Sequence, residues 1–228
     1  MSIPFANPRW IRLLQLLSVM LLAAALLSCA QTPKEPPLSA SAQQDEGTGG
    51  SWLDHVPVNW NRRMRSLPPP LSLGTLSGLS GHCLQSVRQA QSPFEQALVR
   101  AGWLLYEVVQ SYGNTQVVMA MSGVDGMCRP LGYQAFVYWE GRYAGTLSPT
   151  LMNSRTDGAL TQFQLESSSR IVAAFTRYRE KDPLCCPSRI SRVTYEVIQD
   201  DAPLVIPLSI DAIHAISLGK GENRGELK

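Results

Sequence analysis

The distribution of apolar and polar positions divides the chain into a continuous apolar run, a polar stretch, a segment of helical spacing and a long series of strand-like runs. Residues 13–27 are apolar apart from Gln15 and Ser18. A helix of about fifteen residues rises roughly 22 Å, short of the roughly 30 Å of a hydrocarbon core, so the run reads as the apolar region of a secretory signal. Residues 30–57 are rich in Pro, Ser, Gln and Gly, too polar to bury a core of their own. Trp52, Val56, Val58 and Trp60 interrupt the end of that stretch with an apolar patch, expected to dock on the edge of a following domain. Pro68-Pro69-Pro70 marks the approach to that domain.

Ser92-Pro93-Phe94-Glu95 predicts a helix start, with Ser92 as the cap, proline at the first helical position and Glu95 closing a capping box. Phe94, Ala97, Leu98 and Ala101 follow at helical spacing and Gly102 ends the run. A shorter helix is expected around residues 82–90. Beyond it, aliphatic and aromatic runs predict strands at 104–109, 116–121, 135–139, 143–147, 170–178, 192–198 and 204–210. Glu140-Gly141-Arg142 reads as a tight hairpin loop, with glycine supplying a positive φ. Asp200-Asp201-Ala202-Pro203 reads as a second turn. Helix first and strands afterwards predict an α+β domain, one main helix packed on an antiparallel β-sheet, with a small β-sandwich as the alternative.

Leu26-Leu27-Ser28-Cys29 closes the apolar run as a lipobox, and Arg9 and Arg12 supply the positive region before it. The reading is a signal peptide over 1–28, cleaved before an acylated Cys29. A single acyl chain binds marginally and two or three anchor stably, so the mature chain is expected to hold to the lipid bilayer at its extracytoplasmic face. Ala30 stands where an aspartate would favour inner-membrane retention, so in an organism with two membranes the outer membrane is favoured; in one with a single membrane the anchor is the cell membrane. The domain plan is a lipidated cysteine and disordered tether over 29–67, an envelope domain over 68–215 and a polar tail over 216–228.

The chain has 228 residues, with 20 Lys and Arg against 18 Asp and Glu. Two of the basic residues and none of the acids precede Cys29, which leaves 18 of each sign in the mature chain. That balance argues against nucleic acid as a partner. Beyond Cys29 the cysteines are Cys83, Cys128, Cys185 and Cys186, an even set in an exported domain and so candidate disulfides. A bond between the adjacent Cys185 and Cys186 closes a strained ring and ranks last. The two pairings that carry each of them back to Cys83 or Cys128 both stay open.

Candidate chemistry is sparse. Gly78-Leu79-Ser80-Gly81-His82 resembles a nucleophile elbow but lacks the final glycine. It leaves an envelope hydrolase using Ser80 and His82 as the alternative to a binding protein. His55 and His214 lie near the ends of the expected domain, and no closely spaced ligand set predicts a metal. No phosphate-cradling loop or dinucleotide fingerprint is present, so no cofactor is expected. Tyr133, Phe136, Tyr138, Trp139 and Tyr143 form the densest aromatic set. Most of it is expected to be core and cross-strand packing, with Tyr138, Trp139 and Tyr143 as possible ligand-facing aromatics for a glycan or lipid.

The run Ala135-Phe136-Val137-Tyr138-Trp139-Glu140-Gly141-Arg142-Tyr143-Ala144-Gly145-Thr146 resembles a strand-turn-strand of the LppP/LprE family of bacterial lipoproteins. So does Asp182-Pro183-Leu184-Cys185-Cys186-Pro187-Ser188, followed by Val193-Thr194-Tyr195. The resemblance spans roughly residues 71–210. It implies a cell-envelope lipoprotein with no established reaction and with no catalytic residues to carry over. The expectation is therefore a membrane-anchored protein, not an enzyme, whose domain binds a ligand such as a glycan, or an envelope protein.

Overall fold

The computed structural model describes residues 50–71, 79 and 81–214. The signal, Cys29, Ser80 and the tail at 216–228 lie outside the described residues. The unit that contains the described residues begins at Gly50. One α-helix is present among them, α1 (Pro93–Arg100). The strands are β1 (Leu104–Leu105), β2 (Gln110–Tyr112), β3 (Thr115–Met121), β4 (Gly123–Val124), β5 (Pro130–Leu131), β6 (Gln134–Trp139), β7 (Arg142–Thr146), β8 (Leu160–Ser167), β9 (Arg170–Arg177), β10 (Arg189–Ile198) and β11 (Leu204–His214).

The fold is mainly β, which corrects the α+β expectation. Strands β1, β3, β6 and β7 lie in that order in one antiparallel sheet, with β2 also on β3. Strands β11, β10, β9 and β8 form a second sheet, and β4 pairs with β5. In the first sheet Val117, Met119 and Met121 of β3 and Ala135 and Val137 of β6 join one core with Ile171, Ala173, Phe175, Val193, Tyr195 and Val205 of the second sheet. The intervening Val118, Ala120, Phe136 and Tyr138 join Leu98 of α1, Trp103 and Leu105 on the opposite face. A strand sends successive side chains to opposite faces, so a sheet covered on both sides needs apolar residues at every position. The run Val117-Val118-Met119-Ala120-Met121 meets that need. The helix does cover one sheet face, but it has only eight residues. Gly102, at φ 96, turns the chain away directly after it.

The second sheet buries one face only, and β10 alternates accordingly: Val193, Tyr195 and Val197 are buried and Arg192 and Glu196 exposed. Strand β8 escaped the sequence reading because its pairing with β9 shifts between Leu160 and Gln162 and again between Leu165 and Ser167. The first shift puts Leu160, Phe163 and Leu165 out of a simple alternation. Around residues 82–90 the chain forms a 3-10 turn over Gly81–Ser86 in place of an α-helix. The β6–β7 hairpin turns through Glu140 at φ 50 and Gly141 at φ 72, so both central residues take the left-handed conformation.

The apolar patch before Pro68 packs on the core. The Trp52 ring meets Trp60 and Phe175 edge-on, each at 5.2 Å, and Trp60 meets Tyr195 at 6.4 Å. Arg177, nearly enclosed, holds Asp54 at 2.7 Å and Asp157 at 3.2 Å. Burial alone would lower the Arg177 pKa; the hydrogen bonds and charge of Asp54 and Asp157 outweigh it and leave the pKa raised. Trp103 fixes the proline segment by donating to the Pro68 carbonyl at 3.0 Å.

Candidate functional site

Strand β1 ends at Leu105, and the same chain returns to β3 as β2 at Gln110. Between them the Tyr106 amide donates to Met119 and Glu107 adopts φ 56. Outside glycine, Asn and Asp this conformation is uncommon, and it breaks the predicted strand 104–109 in two. The break opens a cleft of about 550 Å³ between this edge and β8. Met119, Leu160, Phe163, Tyr106 and Tyr133 supply apolar and aromatic walls, and Glu107, Gln110, Ser86 and Gln162 supply polar groups.

Tyr106 and Tyr133 stand edge to face at 6.2 Å. Tyr133 donates its hydroxyl to the Leu160 carbonyl at 3.0 Å, which ties β8 to the start of β6. Burial raises both phenols well above their ordinary range. Glu107 is exposed at the cleft mouth, and the partial desolvation there raises its carboxyl above the ordinary value. Arg88 does not neutralise that carboxyl: its Nε donates to the Glu107 backbone carbonyl and its Nη1 to Glu95 at 2.5 Å.

One wall of the cleft is Cys128, at φ 61 and bonded to the buried Cys83. Their Cα atoms lie 5.1 Å apart and the bond joins the 3-10 turn to the β4–β5 loop. Asp125 orders that loop by accepting from the Met127 and Arg129 amides and from the Arg129 side chain at 2.6 Å. Those bonds, the Arg129 side chain first, hold its carboxyl down at about 2. The exposed His82 places a ring nitrogen within 4.8 Å of both sulfurs. Bonded to each other, the sulfurs offer no thiolate to a metal.

Several sequence expectations fall elsewhere. Cys185 is paired with Cys186 on an exposed loop before β10, and not with Cys83 or Cys128 as expected. Cys83 reaches Cys128 because the 3-10 turn lies against the β4–β5 loop, whereas Asp182 folds the Cys185 loop on itself by accepting from Arg179 and Ser188. Tyr138, Trp139 and Tyr143 do not form an open ligand surface. Tyr138 is 2% exposed, with Phe94 of α1 at 4.8 Å and Tyr143 at 5.9 Å. Trp139 lies under the Arg142 guanidinium at 4.7 Å. His55 is exposed in the N-terminal segment, and His214 ends β11. Sequence reasoning missed Glu107: the carboxylate inside Leu104-Leu105-Tyr106-Glu107-Val108-Val109 interrupts an apolar run, but nothing local says that the strand breaks there.

A second depression of about 490 Å³ lies on the outer face of the second sheet, among Gln162, Gln164, Glu166, Arg170, Arg192 and Asp211. Its two acids and two arginines balance, and Arg170 pairs with Glu166 at 3.6 Å. No helix among the described residues is long and apolar enough to cross a membrane.

Residues 110–200 match the family model described as LppP/LprE lipoprotein, so this part of the chain is similar to that lipoprotein family. The matched range runs from β2 to just beyond β10, so it carries most of both sheets and the cleft wall from Gln110 onward. No curated protein and no solved structure matches the chain.

Proposed function

We propose that the chain is a membrane-anchored envelope lipoprotein whose β domain binds a small ligand with an apolar body in the cleft between β2–β3 and β8, without turning it over. The observation that carries the reading is the coincidence, in one concave place, of buried aromatic walls, a carboxylate at the mouth and a left-handed backbone at Glu107. The lipoprotein family is consistent with attachment through acylated Cys29 at the extracytoplasmic face. The hydrolase alternative gains no support: His82 is exposed beside a disulfide, and Ser80 lies outside the described residues.

The test compares the wild-type chain, purified from its native envelope, with Gln110→Trp. Gln110 is exposed at the cleft, so the indole fills the mouth without entering the core. Organic extraction and mass spectrometry should find a compound in near-stoichiometric amount with the wild type and lose it with the variant. Equal recovery from both would remove the cleft as the binding place. The same preparation should give an N-terminal peptide beginning at an acylated Cys29, and an unmodified peptide would remove the anchor.

A further inference from the structure

The proposed cleft also carries a charge preference, and this inference rests on the cleft reading above. Among the described residues lining it, Glu107 is the only ionisable carboxyl, and no Lys, Arg or His lines it. The Arg88 guanidinium binds the Glu107 backbone carbonyl and Glu95, and makes no salt bridge to the Glu107 carboxylate. The Tyr106 and Tyr133 rings and Phe163 stand in the same walls. The site therefore offers an ammonium two favourable terms at once: a carboxylate lacking a counter-ion and aromatic rings with negative π faces. An anion meets the Glu107 carboxylate there and no cationic residue in the lining. A bare divalent cation lacks the several oxygen ligands it needs.

We propose that the cleft takes an organic ammonium compound with a hydrocarbon portion, its cationic head at Glu107 beside the Tyr106 ring and its apolar part against Met119, Leu160 and Phe163.

The test uses the full chain in lipid nanodiscs, with empty nanodiscs subtracting partition into the bilayer. The probes are hexyltrimethylammonium, hexanol and hexanoate, titrated by calorimetry against wild type, Glu107→Gln and Gln110→Trp. Wild type should bind the ammonium probe at least about tenfold more tightly than hexanol, with hexanoate weakest. Glu107→Gln should bring the ammonium and hexanol affinities together, and Gln110→Trp should weaken both. Equal affinities for hexanol and the ammonium probe in wild type, or a preference that survives Glu107→Gln, overturns the ammonium inference. If Gln110→Trp still weakens hexanol in that case, the cleft itself stands. Binding of no probe, or binding indifferent to Gln110→Trp, overturns both.

Discussion

Asn61 joins the edges of the two sheets through one side chain. Its amide donates to the Thr146 carbonyl of β7 at 3.0 Å and to the Val205 carbonyl of β11 at 3.1 Å, and its oxygen accepts from the Thr146 amide at 2.9 Å. The side chain is 1% exposed, so each partner left behind by Asn61→Ala is a buried polar group without a bond. The expected cost is about 3 kcal/mol, measured by urea unfolding. Gly145 is bound to the same place. At φ 141, a Cβ there would stand 2.4 Å from the Asn61 side chain, so Gly145→Ala should destabilise the domain, whereas Gly81→Ala, which meets nothing within 4 Å, should not. Nothing in the sequence marks Asn61: its polar neighbours Asn59, Arg62 and Arg63 suggest a solvated linker, and its partners lie 85 and 144 positions away. Asp125 carries a pH dependence of definite sign. Its folded carboxyl sits at about 2 against an ordinary 3.8. The stability it contributes is complete above about pH 5 and is lost as the pH falls through about 2, whereas Asp125→Asn should flatten that part of the stability profile.

At the scale of elements, legibility followed the locality of the cause. Helix α1 was readable because Ser92 and Glu95 cap it from within three residues, and both arms of the capping box form. Burial raises the Glu95 carboxyl, but bonds from the Gln91 amide, Arg88 and Ser92 outweigh it and leave it lowered. Ser92→Ala should cost about 1 kcal/mol, read from the thermal unfolding midpoint. The β6–β7 hairpin was readable for the same reason. Strand β8 and the break at Glu107 were not, because bulges and a left-handed residue are set by pairing across sheets. The disulfide partner of Cys83 was not readable either, since spacing does not say which loops meet. That bond closes a loop across a sequence separation of 45 residues. On chain-entropy grounds, the pair Cys83→Ala and Cys128→Ala should lower stability by about 4 kcal/mol in denaturant, and reduction should do the same.

For the whole molecule, the domain begins earlier than its proline-rich approach suggests. Trp52, Trp60 and Asn61 close the shared core and Arg177 holds Asp54. Removing residues 50–67 should therefore open the core to a hydrophobic dye. Arg177→Met, which strands Asp54 and Asp157 without a cation, should expose the 50–60 segment to limited proteolysis. The mainly β architecture was hidden by a compositional coincidence: a sheet buried on both faces and a sheet buried on one differ only in the residues between the core positions. Val118, Ala120, Phe136 and Tyr138 look like ordinary strand residues until α1 is seen to cover them. The cleft is a property of this scale alone, since its walls come from the β1–β3 edge, the β4–β5 loop and β8. Its most direct test is a photo-crosslinking benzoylphenylalanine in place of Ser86, which is exposed at the cleft, irradiated in the native envelope and followed by intact mass. The account expects an adduct of small-molecule mass, absent when the same group replaces Arg192 on the outer face of the second sheet. A protein-sized adduct, or the same small adduct at both positions, would contradict a ligand held in the cleft.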